Sequence, residues 1–195
     1  MDIGGRDSDV EVTEERYFSP HHLLLRVAST SVMEAQGAFV RAREFHILTA
    51  MVMSALAVES LCNAVGYRVV PGWKDFEQIS AWAKIRLICG ALGIKFDKGC
   101  APWQQLQILL TFRNAIAHGK PERVVVKGKF SMSDYKKLII NRFGEPLSKF
   151  EKGLTVENAR LSVASVRMVE NLLTSNLPVD CQMGLLVDAW THSLS

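Results

Sequence analysis

A chain of 195 residues that is 48% hydrophobic carries enough apolar side chain to close one core. That excludes a disordered polar segment and sets the expectation of a single domain with at most an appendage. The net charge of +3 names no partner, and four cysteines (Cys62, Cys89, Cys100, Cys181) without Cys-x-x-Cys spacing speak against a zinc site or a disulfide framework.

Taken in chain order, residues 1–19 hold six acids against two bases and read as an acidic, flexible tail, with residues 20–195 as the domain. The tail has no apolar stretch, so no signal peptide is expected. From Pro20 the pattern turns helical: Leu25, Ala28, Val32, Ala35, Phe39 and Ala42 alternate three- and four-residue steps along one seam. His21 and His22 at its start read as surface residues. His46 to Val65 is apolar on most sides, as a central buried helix is. No Pro or Asn-Gly separates the two stretches, so residues 20–66 fit either one long bent helix or two abutting ones. The most apolar run, Phe45 to Val58, is 14 residues and too short to span a bilayer, which gives the expectation of a soluble, cytoplasmic protein without a membrane partner.

Pro71-Gly72 marks a loop over 67–76. A helix follows from about Glu77 to Leu92, with Ala81, Trp82, Ile85, Ile88 and Leu92 on one face and Gly93 as its stop. Pro102 suits the first turn of a helix over 102–118, which Gly119 and Pro121 end. Residues 123–130 look extended, with a turn at Lys127-Gly128, and a short helix covers 133–142. Thr155 caps a helix to about Leu173 with Leu161, Ala164, Val166, Val169 and Leu172 inward, and Pro178 opens a last helix to about Leu194.

The chemistry concentrates at the end of the 102–118 helix, in Arg113-Asn114-Ala115-Ile116-Ala117-His118. Gln107, Thr111, Asn114 and His118 form one polar stripe. Leu106, Leu110, Arg113 and Ala117 form the adjacent one, where Arg113 interrupts an apolar row and needs a partner or a ligand. Arginine holds phosphate with a planar fork of donors, and a histidine in a last helical turn is suited to donate a proton near neutral pH. Attack of a ribose 2′-hydroxyl on its phosphate needs a base, an acid and positive charge on the developing phosphorane. One Arg–His pair supplies the charge and one proton carrier, whereas two pairs facing across a two-fold axis supply everything without a metal. Asn114, one turn before His118, is placed to orient its ring. A plainer assignment stays open: Arg113 as an ion-pair partner of Glu59 or Glu44, and His118 as a helix cap. Charge adds context, since residues 113–142 hold eight bases and two acids, a basic patch that suits a polyanion or simply a solvated face.

Arg113-Asn114-x-x-x-His118-Gly119-Lys120-Pro121 resembles the Arg-x4–6-His signature of the HEPN superfamily (higher eukaryote and prokaryote nucleotide-binding domains). The stretch Ala55-Leu56-Ala57-Val58-Glu59-Ser60-Leu61-Cys62-Asn63 is similar to a first core helix of such proteins, and Trp82-Ala83-Lys84-Ile85-Arg86-Leu87 to the helix before the motif. The resemblance covers residues 45–121. It implies an all-α fold: an antiparallel helical bundle of four to five core helices, here with a short extended insertion after the motif helix. It also implies a homodimer with the motif at its interface and a metal-independent endoribonuclease leaving 2′,3′-cyclic phosphate, in a toxin or defence role. Arg113, Asn114 and His118 are then catalytic, Glu59 and Lys120 supporting, RNA the partner, and no cofactor is needed. Many members pair with a nucleotidyltransferase-type antitoxin. Some of those toxins carry a tyrosine two residues after the histidine, where this chain has Lys120, which counts against control by that route. Other members are non-catalytic nucleotide-binding or protein-interaction domains.

Overall fold

The computed structural model describes residues 12–125, 128–140, 147–182 and 189–194. Its body is all-helical. Seven helices appear among these residues: α1 (Pro20–Gly37), α2 (Val40–Val69), α3 (Ala81–Ala91), α4 (Trp103–Ala117), α5 (Met132–Ile140), α6 (Lys149–Lys152) and α7 (Val156–Ser175). A two-stranded antiparallel ladder pairs β1 (Val12–Tyr17) with β2 (Ala189–Leu194) and joins the two ends of the chain. Part of the segment expected as a flexible tail is therefore a strand, and the expected last helix is a short 3-10 turn (Val179–Cys181) followed later by β2, with residues 183–188 outside the described set. The strand partner that decides this lies at the opposite end of the sequence, out of reach of any local window.

The 20–66 stretch is two helices. Ala38 and Phe39 take extended backbone conformations directly after Gly37, a poor helix former, and the chain turns back there. The seam Leu25, Ala28, Val32, Ala35 is buried, but Phe39 lies beyond the break and is 92% exposed. α2 is the central element, packing against α1, α3, α4 and α7. Its buried residues run Ile47, Ala50, Met51, Ser54, Ala55, Val58, Leu61, Cys62 and Val65, with Ala57 beside them, a stripe too wide for one partner. The stretch Ala42–Val69 is long and apolar enough to cross a membrane by length and composition, with mean hydropathy 1.7 over its most apolar 18-residue window, and exceeds the 14-residue run evident in the sequence; half of that window is already covered by protein.

Caps fix the ends of the flanking helices. Ser80 Oγ accepts from the Ala83 amide, so α3 starts three to four residues later than its apolar pattern suggests. Gly93 adopts φ +67°, and the Ile94 amide donates back to the Cys89 carbonyl, a Schellman closure. Thr155 caps α7 through the Asn158 amide. The inward face of α7 is Ala159, Ser162, Val163, Val166, Val169 and Leu173, rotated from the expected one, for Leu161, Ala164 and Leu172 are only half-buried. Ser162, Ser165 and Thr174 are buried because each hydroxyl donates to a carbonyl of its own helix, which hides the core face from a count of apolar residues. Residues 121–125 and 128–130 carry no regular secondary structure, and Lys127 of the expected turn lies outside the described residues.

The link after α2 returns over that helix, and the Trp73 ring lies on Gly66 so closely that a Cβ there would collide with it. Gly66→Ala therefore destabilises the protein. Overpacking costs about 1–3 kcal/mol and outweighs the roughly 1 kcal/mol gained in helix propensity. Gly90→Ala, in α3 with open space around its Cβ, gains about 0.5–1 kcal/mol. Urea midpoints of the two variants, shifted in opposite directions, check this; a Gly66→Ala protein as stable as the parent would contradict the seating of Trp73.

Candidate functional site

α4 carries the motif between a buried and an exposed side. Leu106, Leu109, Leu110 and Phe112 are buried, whereas Gln107, Thr111, Asn114 and His118 are all exposed, so the polar stripe faces outward. Arg113 sits on the border. Its Nη2 lies 3.0 Å from Glu59 Oε1 on α2, both side chains about one-third exposed, and its Nη1 donates to Asn114 Oδ1 at 3.2 Å. Of the two acids named from sequence as partners, Glu59 pairs with Arg113. Asn114 is committed differently from expectation. Its side chain holds Arg113, and its link to His118 is through the backbone, the His118 amide donating to the Asn114 carbonyl at 3.0 Å.

His118 is the C-cap of α4. The helix ends there before Gly119, a poor helix former on which a Cβ would lie 2.8 Å from the Ala115 carbonyl oxygen, and Pro121, which has no amide to continue the ladder. No hydrogen bond or ion pair engages the His118 ring among the described residues. Residues 114–120 are exposed throughout, and Ile108 and Ile116 on the same stretch of helix are 52% and 38% exposed.

Arg113 and His118 lie five positions apart, roughly 140° around a helix, and the two open onto different recesses. Arg113 and Asn114 line a recess of about 300 Å³ with Glu59, Glu77, Ser80 and Lys84. His118 and Lys120 border a wider cleft of about 1000 Å³ walled by Ile108, Phe112, Ile116 and, on α6, Phe150. α6 is seated there by the stacking of Phe150 on Phe112, ring centroids 4.9 Å apart, and by a capping box between Ser148 and Glu151. Glu122 accepts from the Lys149 amide, which ties the segment after the motif back to α6. Arg123, Lys129 and Lys136 of the basic patch are exposed; the side chains of Lys127, Lys137 and Arg142 lie outside the described set.

One residue of the first recess has no assigned role in the sequence reading. Lys84 is only 6% exposed, and its Nζ donates to Asn63 Oδ1 at 2.9 Å. The signal was present: Lys84, Ile85, Ile88 and Cys89 form one stripe of α3, with a charge inside an apolar row. A buried ammonium is kept where a polar partner waits for it. Asn63 and Glu59 are one turn apart on α2, so that helix offers one acceptor to α3 and one to α4. Burial pushes the neighbouring Cys62 thiol up to about 12 against the opposing pull of Lys84, and pushes Cys89 up to about 11, so both remain protonated thiols. All four cysteines are free. His21, expected at the surface, is instead fully buried, and with His22 it faces Glu170 of α7.

No protein-family model, no curated protein and no solved structure matches the chain.

An ion pair this exposed is worth about 0.2–1 kcal/mol. A double-mutant cycle on Glu59→Gln and Arg113→Gln, read by urea unfolding, is expected to return a coupling in that range. A coupling several times larger would make Arg113 a structural residue, held too firmly to serve a ligand.

Proposed function

We propose that the chain is a HEPN-like protein whose α4 termini, brought together in a homodimer, form a metal-independent endoribonuclease site. The proposal includes the antiparallel bundle built on α2 and treats the segment after α4 as an insertion beside the site. The observation that carries it is the uncovered end of α4: Arg113 is positioned but not sealed, the His118 ring is unengaged, and Ile108 and Ile116 beside them are exposed. Within one protomer Arg113 and His118 face different ways, so a second copy is what would set an arginine and a histidine on the same phosphate.

In this reading Arg113, oriented by Glu59 and Asn114, binds the scissile phosphate and stabilises the charge that develops on it. One His118 removes the 2′-hydroxyl proton and its twin protonates the leaving 5′-oxygen, giving a 2′,3′-cyclic phosphate and a 5′-hydroxyl. Lys120, with the other bases after the motif, supplies attraction for the RNA backbone. A cytoplasmic toxin or defence role with a nucleotidyltransferase-type antitoxin belongs to the same reading, with Lys120 standing where modification of a tyrosine would occur.

The Arg113–Glu59 pair favours a second reading, a non-catalytic HEPN-like domain that binds nucleotide or a protein partner through the same surface. RNA cleavage in EDTA separates the two. His118→Ala is expected to lose about 10²–10⁴-fold in rate, the usual share of general acid–base catalysis, with helicity and oligomeric state unchanged. Equal cleavage by wild type and His118→Ala, or none by either, would leave the binding reading standing.

A further inference from the structure

Away from α4, the start of α1 and the middle of α7 bring together two imidazoles and a carboxylate. His21 Nε2 lies 3.2 Å from Glu170 Oε1, and His22 Nδ1 lies 3.4 Å from the same oxygen. The two rings lie with centroids 3.9 Å apart and planes tilted by 38°, and the three ligand atoms all fall within 4.8 Å of one another. Donor atoms on a tetrahedral ion with bonds of about 2.0–2.1 Å sit roughly 3.3–3.4 Å apart. The two contacts to Glu170 thus have the length of tetrahedral edges.

The burial of His21 makes the arrangement informative. The side chain is 0% exposed, and Ser19 Oγ, itself buried, lies 2.6 Å from Nδ1. That contact fixes the ring as an outer partner fixes a ligating histidine, with Nδ1 occupied and Nε2 directed at the carboxylate. Nε2 faces the Glu170 carboxylate at 3.2 Å without a well-directed hydrogen bond, and this contact with His21 holds the Glu170 carboxyl below its ordinary range. A buried imidazole nitrogen held against a carboxylate, with a second imidazole on the same oxygen, presents three donors that one cation can draw on together.

We propose that His21, His22 and Glu170 form a binding site for a divalent transition-metal ion of the zinc class. The fourth position faces a recess of about 500 Å³ lined by Arg26, Thr30, Arg167 and Asn171. Arg167 donates to Ser29 Oγ at 3.0 Å, and with Arg26 it raises the local positive potential. These cations weaken the hold on the metal and favour a small anion or hydroxide as its fourth ligand. The ion would pin the first turn of α1 to α7 independently of the chemistry at α4.

The test uses the full chain, freed of metal with a chelator and then titrated with Zn²⁺ against a chromophoric competitor, and separately with Co²⁺. One Zn²⁺ per chain is expected, with the intense visible absorption of four-coordinate Co²⁺. Glu170→Gln and His22→Ala should each weaken binding at least about tenfold while keeping the helical circular dichroism. No stoichiometric Zn²⁺ at a hundred-micromolar excess, or a six-coordinate Co²⁺ spectrum, would overturn the proposal, as would undiminished binding by both variants. The wild-type Co²⁺ spectrum decides the geometry even if a variant fails to fold.

Discussion

The close burial of α2 is the constraint on which the other elements depend. Its residues Ala50, Ser54, Ala55 and Ala57 are small, as are Ala28, Ser31 and Ala35 on α1, so the two helices can approach along much of their length. Dense packing of that kind leaves little freedom in axial position. Larger residues of α2, Met51, Leu61 and Val65 among them, are fully buried as well, and α3, α4 and α7 also pack against the helix. Once α2 is fixed in this way, two polar side chains one turn apart on it, Glu59 and Asn63, are fixed too. They then determine where Arg113 and Lys84 come to rest.

That arrangement explains how a cation can be precise without being spent. Glu59 and Asn114 occupy part of the Arg113 guanidinium, and about a third of the side chain stays open to solvent. An exposed pair costs little to break, whereas an arginine on phosphate gains two parallel charge-assisted hydrogen bonds. Orientation by Glu59 and engagement of an anion are thus compatible. His118 is placed by a different device, the end of the helix, with Gly119 allowing the turn.

Elements with their own periodicity and caps were legible in the sequence. The apolar seam at the start of α1, the stop at Gly93, the span of α4 and the Thr155 cap all follow from residues within a few positions of one another. For Arg113 the interrupted apolar row showed that a partner or ligand was needed and left Glu59 and Glu44 open, a choice that only the packing of α4 on α2 makes. What the sequence hid depends on partners distant along the chain. The burial of His21 needs Glu170 from α7, β1 needs β2, and the inward face of α7 is masked by hydroxyls that satisfy themselves within the helix. The break at Ala38–Phe39 depends on α1 folding back on α2, a tertiary preference that overrode a continuous helical pattern.

The central claim is that two copies meet at the ends of their α4 helices. Ala115 is exposed on α4 between Arg113 and His118. With Cys100 and Cys181 changed to serine, and Cys62 and Cys89 protected by burial, Ala115→Cys can carry one spin label per chain. Pulsed electron resonance on the dimer then measures the separation of the two motifs directly. The account predicts a distance below about three helix diameters, roughly 30 Å. A monomer at working concentration, or a dimer with its labels well beyond that distance, would contradict it.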